Sequence, residues 1–366
     1  MKILIATTLF YPAKLGGPAN TLYWLSKALV KTGVNVSVVT TNRQIEPGKN
    51  KVDKWSDVDG INVRYCKADS FCFLKMLYHT WKEMKSCDTV MLCDMFQPQV
   101  LPVAFMARLR KKKIIWSPRG ELHGPALAGR WVKLWYIGVV RNCFGNYATF
   151  HATSEEERDL IHEHIGKNAK VVVIPNYMEL PPIQERKQLA IPYFLFVGRI
   201  NRIKALDRLI LGLAKSKLFK QKDYILKIAG PNQDDYQQEL EKMIDNNDLK
   251  EKVEFVGNVF CKDKSQLYAN AHFSCLLSHS ENFGNVVIEA LSQGTPVIAS
   301  TGTPWQELNS CNAGFWIENT PERIAACVDN ILEMSDAQYE EMRHNARELA
   351  NTYDVFQNVD KWVKAI

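Results

Sequence analysis

Two glutamates flank a glycine turn in residues 280–291, which read Ser-Glu-Asn-Phe-Gly-Asn-Val-Val-Ile-Glu-Ala-Leu. Glu281 lies eight residues before Glu289. The apolar run 273–277 predicts a buried strand before them, and the apolar spacing after the turn predicts a helix that starts near Asn285. In open α/β folds such a junction lies at the carboxyl end of the sheet, where helix amides favour phosphate and carboxylates can hold sugar hydroxyls. Because a nucleotide sugar has both groups, the pattern predicts a nucleotide-sugar site.

Two cations, Arg199 and Lys204, follow another predicted strand. Gly198 stands at the end of that strand, where the missing side chain lets the backbone approach a ligand closely. Fixed positive charge at this point can neutralise a diphosphate, which is the leaving group of glycosyl transfer, and so lower the barrier directly. The alternative is a solvated helix face, which is the interpretation we favour for Arg202 and Arg208.

Three motifs, taken together and in this order, resemble a known family. They are the early Gly16-Gly17, the run 196–204 (Phe-Val-Gly-Arg-Ile-Asn-Arg-Ile-Lys) and the Glu-x7-Glu pair with Phe-Gly inside it. Over nearly the whole chain they resemble the retaining nucleotide-sugar glycosyltransferases of family four (glycosyl transferases group 1), which have the GT-B fold. The resemblance implies two Rossmann-like domains facing across a cleft, with a C-terminal helix that crosses back to the first domain. It also implies transfer of a sugar from a nucleotide diphosphate sugar to an acceptor hydroxyl.

The resemblance assigns a role to each of these residues. Arg199 and Lys204 would hold the leaving diphosphate, Glu281 would contact the donor sugar, and Glu289 would grip the ribose hydroxyls. Arg199, Lys204 and Glu281 are therefore the catalytic candidates. The donor-binding candidates are Gly16, Gly17, Asn282, Phe283, Gly284 and Glu289. The family usually has Lys-Gly where this chain has Lys204-Ala205, a departure that a helix start tolerates.

The residues alone also allow interpretations in which these positions bind no ligand. Either glutamate could merely cap or solvate its helix, since acidic residues favour the first turn. Gly16-Gly17-Pro18 could be an ordinary turn, because it lacks the Gly-x-Gly-x-x-Gly of a dinucleotide fold.

Residues 116–123, Trp-Ser-Pro-Arg-Gly-Glu-Leu-His, also follow a predicted strand and should face the ligand. Many relatives carry His-Gly or His-Asp near the place where Arg119-Gly120 stands here. Arg119 could hold an acceptor phosphate or a sugar hydroxyl, but its guanidinium cannot act as a base near neutral pH. His123 is either a site residue or a loop histidine. We take Arg119 and His123 as the candidates for acceptor or sugar contact.

Metal and disulfide chemistry have little support in the sequence. The nine cysteines include no Cys-x-x-Cys pair, which argues against a zinc site or a disulfide framework and favours buried thiols in a reducing compartment. His162 and His164 point to different sides of a helix, so we expect them on the surface. Asp94 has no obvious partner. As in the family, we expect neither a metal nor another cofactor.

Strand-like runs alternate with longer helical patterns, which predicts parallel sheets covered by helices on both faces. The predicted strands are 3–7, 36–40, 61–66, 89–93, 114–117, 149–153 and 171–174, followed by 193–197, 224–229, 253–256, 273–277 and 296–299. Pro181-Pro182 indicates a hinge between the two series. We therefore predict an α/β protein with an N-terminal acceptor-binding domain at 1–178, joined by the terminal helix 352–366, and a C-terminal nucleotide-sugar-binding domain at 190–351.

The net charge of +6 is unevenly distributed. Residues 1–170 hold 25 Lys and Arg against 14 Asp and Glu, a balance of +11, whereas residues 171–366 hold 21 against 26, a balance of −5. A basic first half predicts an anionic partner, either a membrane surface or a phosphorylated acceptor. Nucleic acid is not expected, because no recognition motif accompanies the charge.

The segment 125–142 interleaves basic residues with aromatic ones and follows a basic cluster at 108–113. Such an amphipathic helix suits the surface of an anionic membrane, although Trp131, Leu134 and Trp135 also have the spacing of a core-facing helix. The chain begins with a strand-like run and has no apolar stretch of about 18 residues, so we expect neither a signal peptide nor a spanning helix. We predict a cytoplasmic enzyme, peripheral on the inner face of the cell membrane, that glycosylates a glycan or a lipid-linked acceptor in surface polysaccharide synthesis.

Two other classes of function compete with this prediction. A nucleotide-sugar epimerase of the same fold would transfer nothing and need no basic acceptor face, and a phosphorylase would require a pyridoxal phosphate lysine and a much longer chain. A catalytically inactive glycan-binding protein would have no reason to retain Arg199, Lys204, Glu281 and Glu289.

Overall fold

The computed structural model describes residues 1–13, 17–46, 48, 51–123, 127, 131–232 and 235–366. The chain divides into two compact units, one formed by Met1–Glu179 with Asp354–Ile366 and the other by Leu180–Tyr353. Each unit is built on a parallel sheet with helices packed against it, so the predicted α/β class is confirmed. Within the described ranges, no helix has the length and apolar character needed to span a bilayer.

The first unit has an eight-stranded sheet. Its strands are Lys2–Ala6 (β1), Asn35–Thr41 (β2), Trp55–Val58 (β3), Ile61–Cys66 (β4), Thr89–Cys93 (β5), Lys113–Ser117 (β6), Thr149–Ala152 (β7) and Lys170–Val173 (β8). Their spatial order is β3-β4-β2-β1-β5-β6-β7-β8, and every pair is parallel except the edge pair β3–β4. The helices are Gly17–Lys31 (α1), Cys72–Glu83 (α2), Val100–Leu109 (α3), Trp131–Phe144 (α4), Glu155–His164 (α5) and the C-terminal helix Val355–Ala365.

An apolar cluster on one face of this sheet contains buried side chains of α2, α3, α4 and α5. The C-terminal helix packs against α1, where Lys31 Nζ lies 3.6 Å from the centre of the Phe356 ring. It also packs against β7, where the ring of Trp362 lies 4.5 Å from that of His151. The prediction that the terminal helix returns to the first unit is therefore confirmed.

The second unit has a six-stranded sheet in the order β11-β10-β9-β12-β13-β14, with all neighbours parallel. Its strands are Tyr193–Val197 (β9), Ile225–Ala229 (β10), Val253–Gly257 (β11), Phe273–Leu276 (β12), Val297–Ser300 (β13) and Gly314–Ile317 (β14). The helices are Leu206–Lys215 (α6), Lys217–Gln221 (α7), Tyr236–Asn246 (α8), Cys261–Asn270 (α9), Asn285–Ser292 (α10), Glu307–Ser310 (α11), Pro321–Glu333 (α12) and Asp336–Asn351 (α13). Buried phenylalanines of β9 and β12, such as Phe194 and Phe273, lie at the centre of its core.

Three local predictions need correction. The strands β3 and β14 were not predicted, because both are short and only partly buried and so lack a clear apolar run. The residues after Gly16-Gly17-Pro18 predict a helix over 21–30, but helix α1 begins at Gly17, with Pro18 in its first turn where a proline is tolerated. The cysteines are free thiols and six are buried as predicted, but Cys261 and Cys311 are exposed.

Close backbone contact between neighbouring strand ends depends on one glycine of the second unit. Gly230 follows β10 with a φ of +142°, and its N–H donates to the carbonyl oxygen of Gly257 at 2.8 Å. A Cβ atom on Gly230 would lie 1.8 Å from the carbonyl oxygen of Gly198. The loops after β9 and β10 can therefore pack together only with glycine at position 230.

We expect Gly230→Ala to lower the free energy of unfolding by about 3 kcal/mol or more, because backbone strain and overpacking add. Gly257→Ala is the matched control: its φ of +77° is also positive, but an added Cβ meets no atom of the described residues within 4 Å. It should lose only about 1 kcal/mol. Urea denaturation measures both, and equal losses would contradict the contact.

Candidate functional site

The turn between β12 and α10 has the geometry that its sequence predicts. The helix begins at Asn285, and Gly284 before it adopts the left-handed conformation with a φ of +83°. A Cβ atom on Gly284 would lie 2.7 Å from Leu276 Cδ2, so both the conformation and the space select glycine. Phe283 is buried, and the centre of its ring lies 5.2 Å from that of Trp305. The Trp305 indole N–H donates to the Phe283 carbonyl oxygen. Packing against the core of the second unit thus holds the turn in place.

Glu281 and Lys204 form an ion pair across the ends of two neighbouring strands. Lys204 ends a short 3₁₀ helix after β9, and Glu281 lies in the turn after β12. Ser278 Oγ lies 3.4 Å from the same carboxylate oxygen. The two side chains are only 14% and 20% exposed, so their attraction is screened less than that of a surface pair. Lys204 and Glu281 are 77 residues apart in the sequence, and the parallel pairing of β9 with β12 brings them together.

Backbone hydrogen bonds hold the two loops of this pair in place. The His279 N–H donates to the carbonyl oxygen of Ile203 at 2.9 Å, and the Glu281 N–H donates to that of Gly302 at 2.9 Å. Ala205, next to Lys204, is buried with a φ of +51° and a ψ of +41°, a left-handed conformation that L-residues other than glycine adopt only at a cost. Glycine adopts this conformation at no steric cost, and alanine is the smallest residue that can replace it.

The other cations near Lys204 are exposed. Arg199 lies on the surface directly after Gly198. Arg202 pairs with Glu239 and is 71% exposed, and Arg208 lies 3.7 Å from its neighbour Asp207. Both positions agree with the solvated interpretation. A pocket of about 480 Å³ lies beside the 3₁₀ helix, lined by Arg202, Ile203, Asp207, Tyr236, Glu239, Leu240, Met243 and His279.

Glu289 lies on α10 and is held by two residues of α9. Lys264 Nζ lies 2.7 Å from Oε1, and the Tyr268 hydroxyl donates to Oε2 at 3.3 Å. Tyr268 is buried, and burial followed by the charge of Glu289 raises its pKa well above the usual value. A carboxylate has about four acceptor positions, so Glu289 retains capacity for ribose hydroxyls. No motif in the sequence marks either partner, although Lys264 and Tyr268 have the i, i+4 spacing that places them on one helix face.

In the first unit, Asp94 and Arg119 follow the neighbouring strands β5 and β6. Both have left-handed backbones, with φ values of +71° and +54°. The pKa of Asp94 is raised to about 6, chiefly by burial, against a lowering by the Arg119 guanidinium and a further increase from Glu121. The sequence indicated no obvious partner for Asp94; Arg119 acts on it electrostatically, although no hydrogen bond or ion pair to its carboxylate is formed among the described residues.

Glu121 and Glu157 anchor the loops that carry these two residues. The Glu121 carboxylate accepts hydrogen bonds from the backbone N–H groups of Met95 and Phe96, directly after Asp94. The buried Glu157 accepts from the Gly120 N–H at 2.6 Å, directly after Arg119. The two carboxylates fix the loop ends in place.

The remaining candidates are less well placed. His123 Nδ1 lies 3.9 Å from the carboxylate of Glu156, so it faces α5. Gly17 is the first residue of α1, and Gly16 lies outside the described residues. His162 and His164 lie on α5 and are half-buried, not on the open surface. Across the described ranges, no group of three or more His, Cys, Asp or Glu side chains could hold a metal ion.

Two family models match the chain and together span nearly all of it. The model described as Glycosyl transferases group 1 matches residues 182–349, and the one described as Glycosyl transferase 4-like domain matches residues 16–177. The chain belongs to the family-four glycosyltransferases.

Individual relatives of this glycosyltransferase are distant in sequence but alike in fold. The GDP-mannose:cellobiosyl-diphosphopolyprenol alpha-mannosyltransferase of Xanthomonas oryzae pv. oryzae is 24% identical over 370 residues, covering 99% of this chain and 96% of that protein. The structure of Anabaena HepE in complex with UDP and glucose has a TM-score of 0.76 and 18% identity, and 100% of each chain is covered. Sucrose-phosphate synthase from Thermosynechococcus elongatus has a TM-score of 0.79 at 18% identity, covering 100% of this chain and 98% of that one. The two structures show the shared GT-B fold.

The contacts of Glu289 lead to a prediction about the stability of this glycosyltransferase. In a double-mutant cycle of Lys264→Met and Glu289→Gln, we expect a coupling of about 1–2 kcal/mol, because the pair is mostly buried and well aligned. Lys227 and Glu254 are the matched control, since they are also an ion pair of the second unit, at 3.0 Å, but Glu254 is half exposed. Their cycle should give a clearly smaller coupling. Urea denaturation of the four variants of each cycle measures this, and equal couplings would contradict the prediction.

Proposed function

We propose that the protein is a retaining glycosyltransferase that moves a sugar from a nucleotide diphosphate sugar to an acceptor hydroxyl. The observation that carries the proposal is the Lys204–Glu281 pair at the start of α10. It combines a cation for the diphosphate, a carboxylate for the sugar hydroxyls and the N–H groups of a helix start for phosphate. These are the groups that a sugar nucleotide needs.

Each residue of this site has a role in the proposed reaction. Lys204 has three donors, of which Glu281 takes one, so the others remain for the departing diphosphate together with Arg199. Glu281 would hold the hydroxyls of the transferred sugar, and Glu289 those of the ribose. The acceptor oxygen attacks C1 from the side of the leaving group. As the C1–phosphate bond breaks, the leaving phosphate oxygen takes the acceptor proton, and the configuration at C1 is retained. This route needs no dedicated carboxylate base and no bound metal.

The relatives suggest which substrates to test first. The Xanthomonas relative is named for GDP-mannose and a cellobiosyl-diphosphopolyprenol acceptor, and the HepE structure holds UDP and glucose. We therefore propose a lipid-linked oligosaccharide as the acceptor class. An epimerase would have no use for the first unit's surplus of positive charge.

The experiment offers GDP-mannose and UDP-glucose in turn, with an alkyl β-cellobioside as acceptor, in the presence and absence of EDTA. We expect a new glycoside whose anomeric configuration by NMR matches that of the donor, formed at the same rate with EDTA. An inverted product would overturn the retaining mechanism, and a rate restored only by Mn²⁺ or Mg²⁺ would overturn metal independence. Binding of nucleotide without turnover of any donor would favour the inactive glycan-binding alternative.

Loss of either cation should slow the reaction strongly. Because fixed charge acts on the departing diphosphate, Arg199→Ala and Lys204→Ala should each lower kcat by about 10²-fold or more. Arg208→Ala is the control, since it is also a surface arginine of this region but lies beside Asp207. We expect it to keep near-normal activity. Steady-state kinetics with the active donor decides, and near-normal rates in the first two variants would remove the assigned roles.

We also propose that the enzyme is peripheral on an anionic membrane. Its surface has a patch that fits one: the neighbouring helices α2, α3 and α4 pack on one sheet face, linked by Arg110 over the Trp81 ring and Phe105 against Phe144. We call their solvent side the outer apolar face. Its large exposed residues are Phe73, Leu74, Tyr78, Phe105, Leu109, Trp131, Val132, Leu134 and Trp135.

The exposure of the α4 indoles supports this proposal. The buried residues of that helix are Ile137, Val140 and Phe144, whereas Trp131 is 78% and Trp135 63% exposed. Large exposed apolar side chains on three neighbouring helices indicate an interaction surface. Residues 72–144 also hold 12 Lys and Arg against four Asp and Glu, so the patch lies in a positive field. Aromatic side chains with surrounding cations complement an anionic bilayer surface.

Vesicle sedimentation tests the outer apolar face. The variant Trp131→Ala/Trp135→Ala should bind anionic vesicles at least about 10-fold more weakly, because each indole buries a large apolar area. Ile183→Ala/Ile191→Ala, which removes two exposed side chains of the second unit, is the control and should bind like the wild type. Binding should weaken with salt and be weaker to neutral vesicles. No binding at low ionic strength, or equal binding to both vesicle types, would overturn the membrane proposal.

A further inference from the structure

A second group of polar residues lies at the carboxyl edge of the first unit's sheet, and the mechanism above does not use it. Asp94 and Arg119 extend from neighbouring strands, and Cys93 lies beside the same guanidinium. The Asp94 side chain is partly buried, and no hydrogen bond to its carboxylate is formed by the described residues. Arg119 Nε is buried and also lacks a hydrogen-bond partner there. A partly buried carboxylate beside a guanidinium with one buried, unpaired nitrogen has hydrogen-bonding capacity that a ligand can use.

The backbone around both residues is strained and held in place. Asp94 has a φ of +71°, its N–H donates to the Ser117 carbonyl oxygen at 3.0 Å, and its carbonyl oxygen accepts from the Trp116 indole at 3.1 Å. Arg119 has a φ of +54° and is followed by Gly120, whose N–H is held by Glu157. Left-handed conformations of residues other than glycine persist only where the surroundings impose them, and they concentrate at functional sites.

We propose that Asp94 and Arg119 bind the hydroxyl group of the acceptor that receives the sugar. The Asp94 carboxylate accepts a hydrogen bond from that hydroxyl, and Arg119 donates to a neighbouring oxygen of the acceptor. This inference rests on the proposed function and extends it, because it assigns the acceptor hydroxyl to named residues of the first unit. Asp94 orients the attacking oxygen, while the proton still leaves with the phosphate.

Protonation of Asp94 would replace this charged acceptor of a hydrogen bond by a weaker, neutral one. The charged groups that act on it are Arg119 and Glu121, and burial is the largest influence, which together place its pKa at about 6. The ionised form therefore predominates above about pH 6 and is lost below it. Because the folded protein holds this proton more tightly than the unfolded chain, the wild type should lose stability as pH rises through this range. Asparagine does not titrate, and it tolerates a positive φ well.

The test compares Asp94→Asn with the wild type, using the donor that turns over and octyl β-cellobioside. We expect the acceptor KM to rise about 10-fold or more, as for a lost hydrogen bond to a charged group, with the donor KM unchanged. The wild-type kcat/KM for the acceptor should fall below about pH 6, and the variant should lack this acid limb. Its Tm at pH 8 should equal or exceed that of the wild type, which excludes misfolding as the cause. Asp88→Asn, at the other end of β5, is the control and should retain both the KM and the acid limb.

Hydrolysis of the donor is measured in the same reactions, because water can take the place of the acceptor hydroxyl. If the cellobioside is not a substrate, slower hydrolysis by Asp94→Asn and loss of its acid limb support the inference. Unchanged acceptor KM, hydrolysis and pH profile in that variant, with an active wild type, overturn this inference alone. A wild type that turns over no donor overturns the proposed function and this inference with it.

Discussion

Parallel pairing of neighbouring strands is the constraint on which both candidate sites depend. In a parallel sheet every strand ends at the same edge, so the loops that follow adjacent strands meet there. The pairing of β9 with β12 places Lys204 beside Glu281, and the pairing of β5 with β6 places Asp94 beside Arg119. The apolar cores that fix these registers therefore also set the distances between charged groups. A change in register would move the charged groups apart.

Charge compensation differs between the two sites. In the second unit, both glutamates of the Glu-x7-Glu pair have a lysine partner: Lys204 pairs with Glu281, and Lys264 pairs with Glu289. Such pairs hold partly buried carboxylates in fixed positions, so that little reorganisation is needed when a ligand arrives. In the first unit, Arg119 does not fully offset the burial of Asp94, whose pKa remains raised. The second unit thus compensates the charges of its two candidate glutamates within the protein, whereas the first has a carboxyl group whose pKa is raised.

Sequence patterns predicted most of the fold because strand and helix periodicities are local. They located the strand–turn–helix junction at Gly284 and nearly all of the parallel strands, but missed β3 and β14, whose residues are only partly buried. The partners of the site residues were harder to predict. Lys264 and Tyr268 lie on a helix that shows no motif, and their contact with Glu289 depends on how α9 packs against α10. Likewise, the periodicity of α4 fits either a buried or an exposed indole face, and only the packing of Ile137 and Phe144 into the core decides between them.

Strained backbone conformations occur at both candidate sites. Asp94, Arg119 and Ala205 all have left-handed φ values, and each lies where a strand end meets a candidate ligand group. A left-handed residue costs about 1–2 kcal/mol, so its surroundings must supply at least that much. At Ala205, backbone hydrogen bonds hold this conformation. Its N–H donates to the Arg202 carbonyl oxygen, and its own carbonyl oxygen accepts from the N–H groups of Arg208 and Leu209. The sharp reversal that results carries Lys204 at the end of a 3₁₀ helix and starts α6 immediately afterwards. The strained residue thus sets the direction of the lysine, and the hydrogen bond from the His279 N–H to the Ile203 carbonyl oxygen holds the same loop against the turn that carries Glu281.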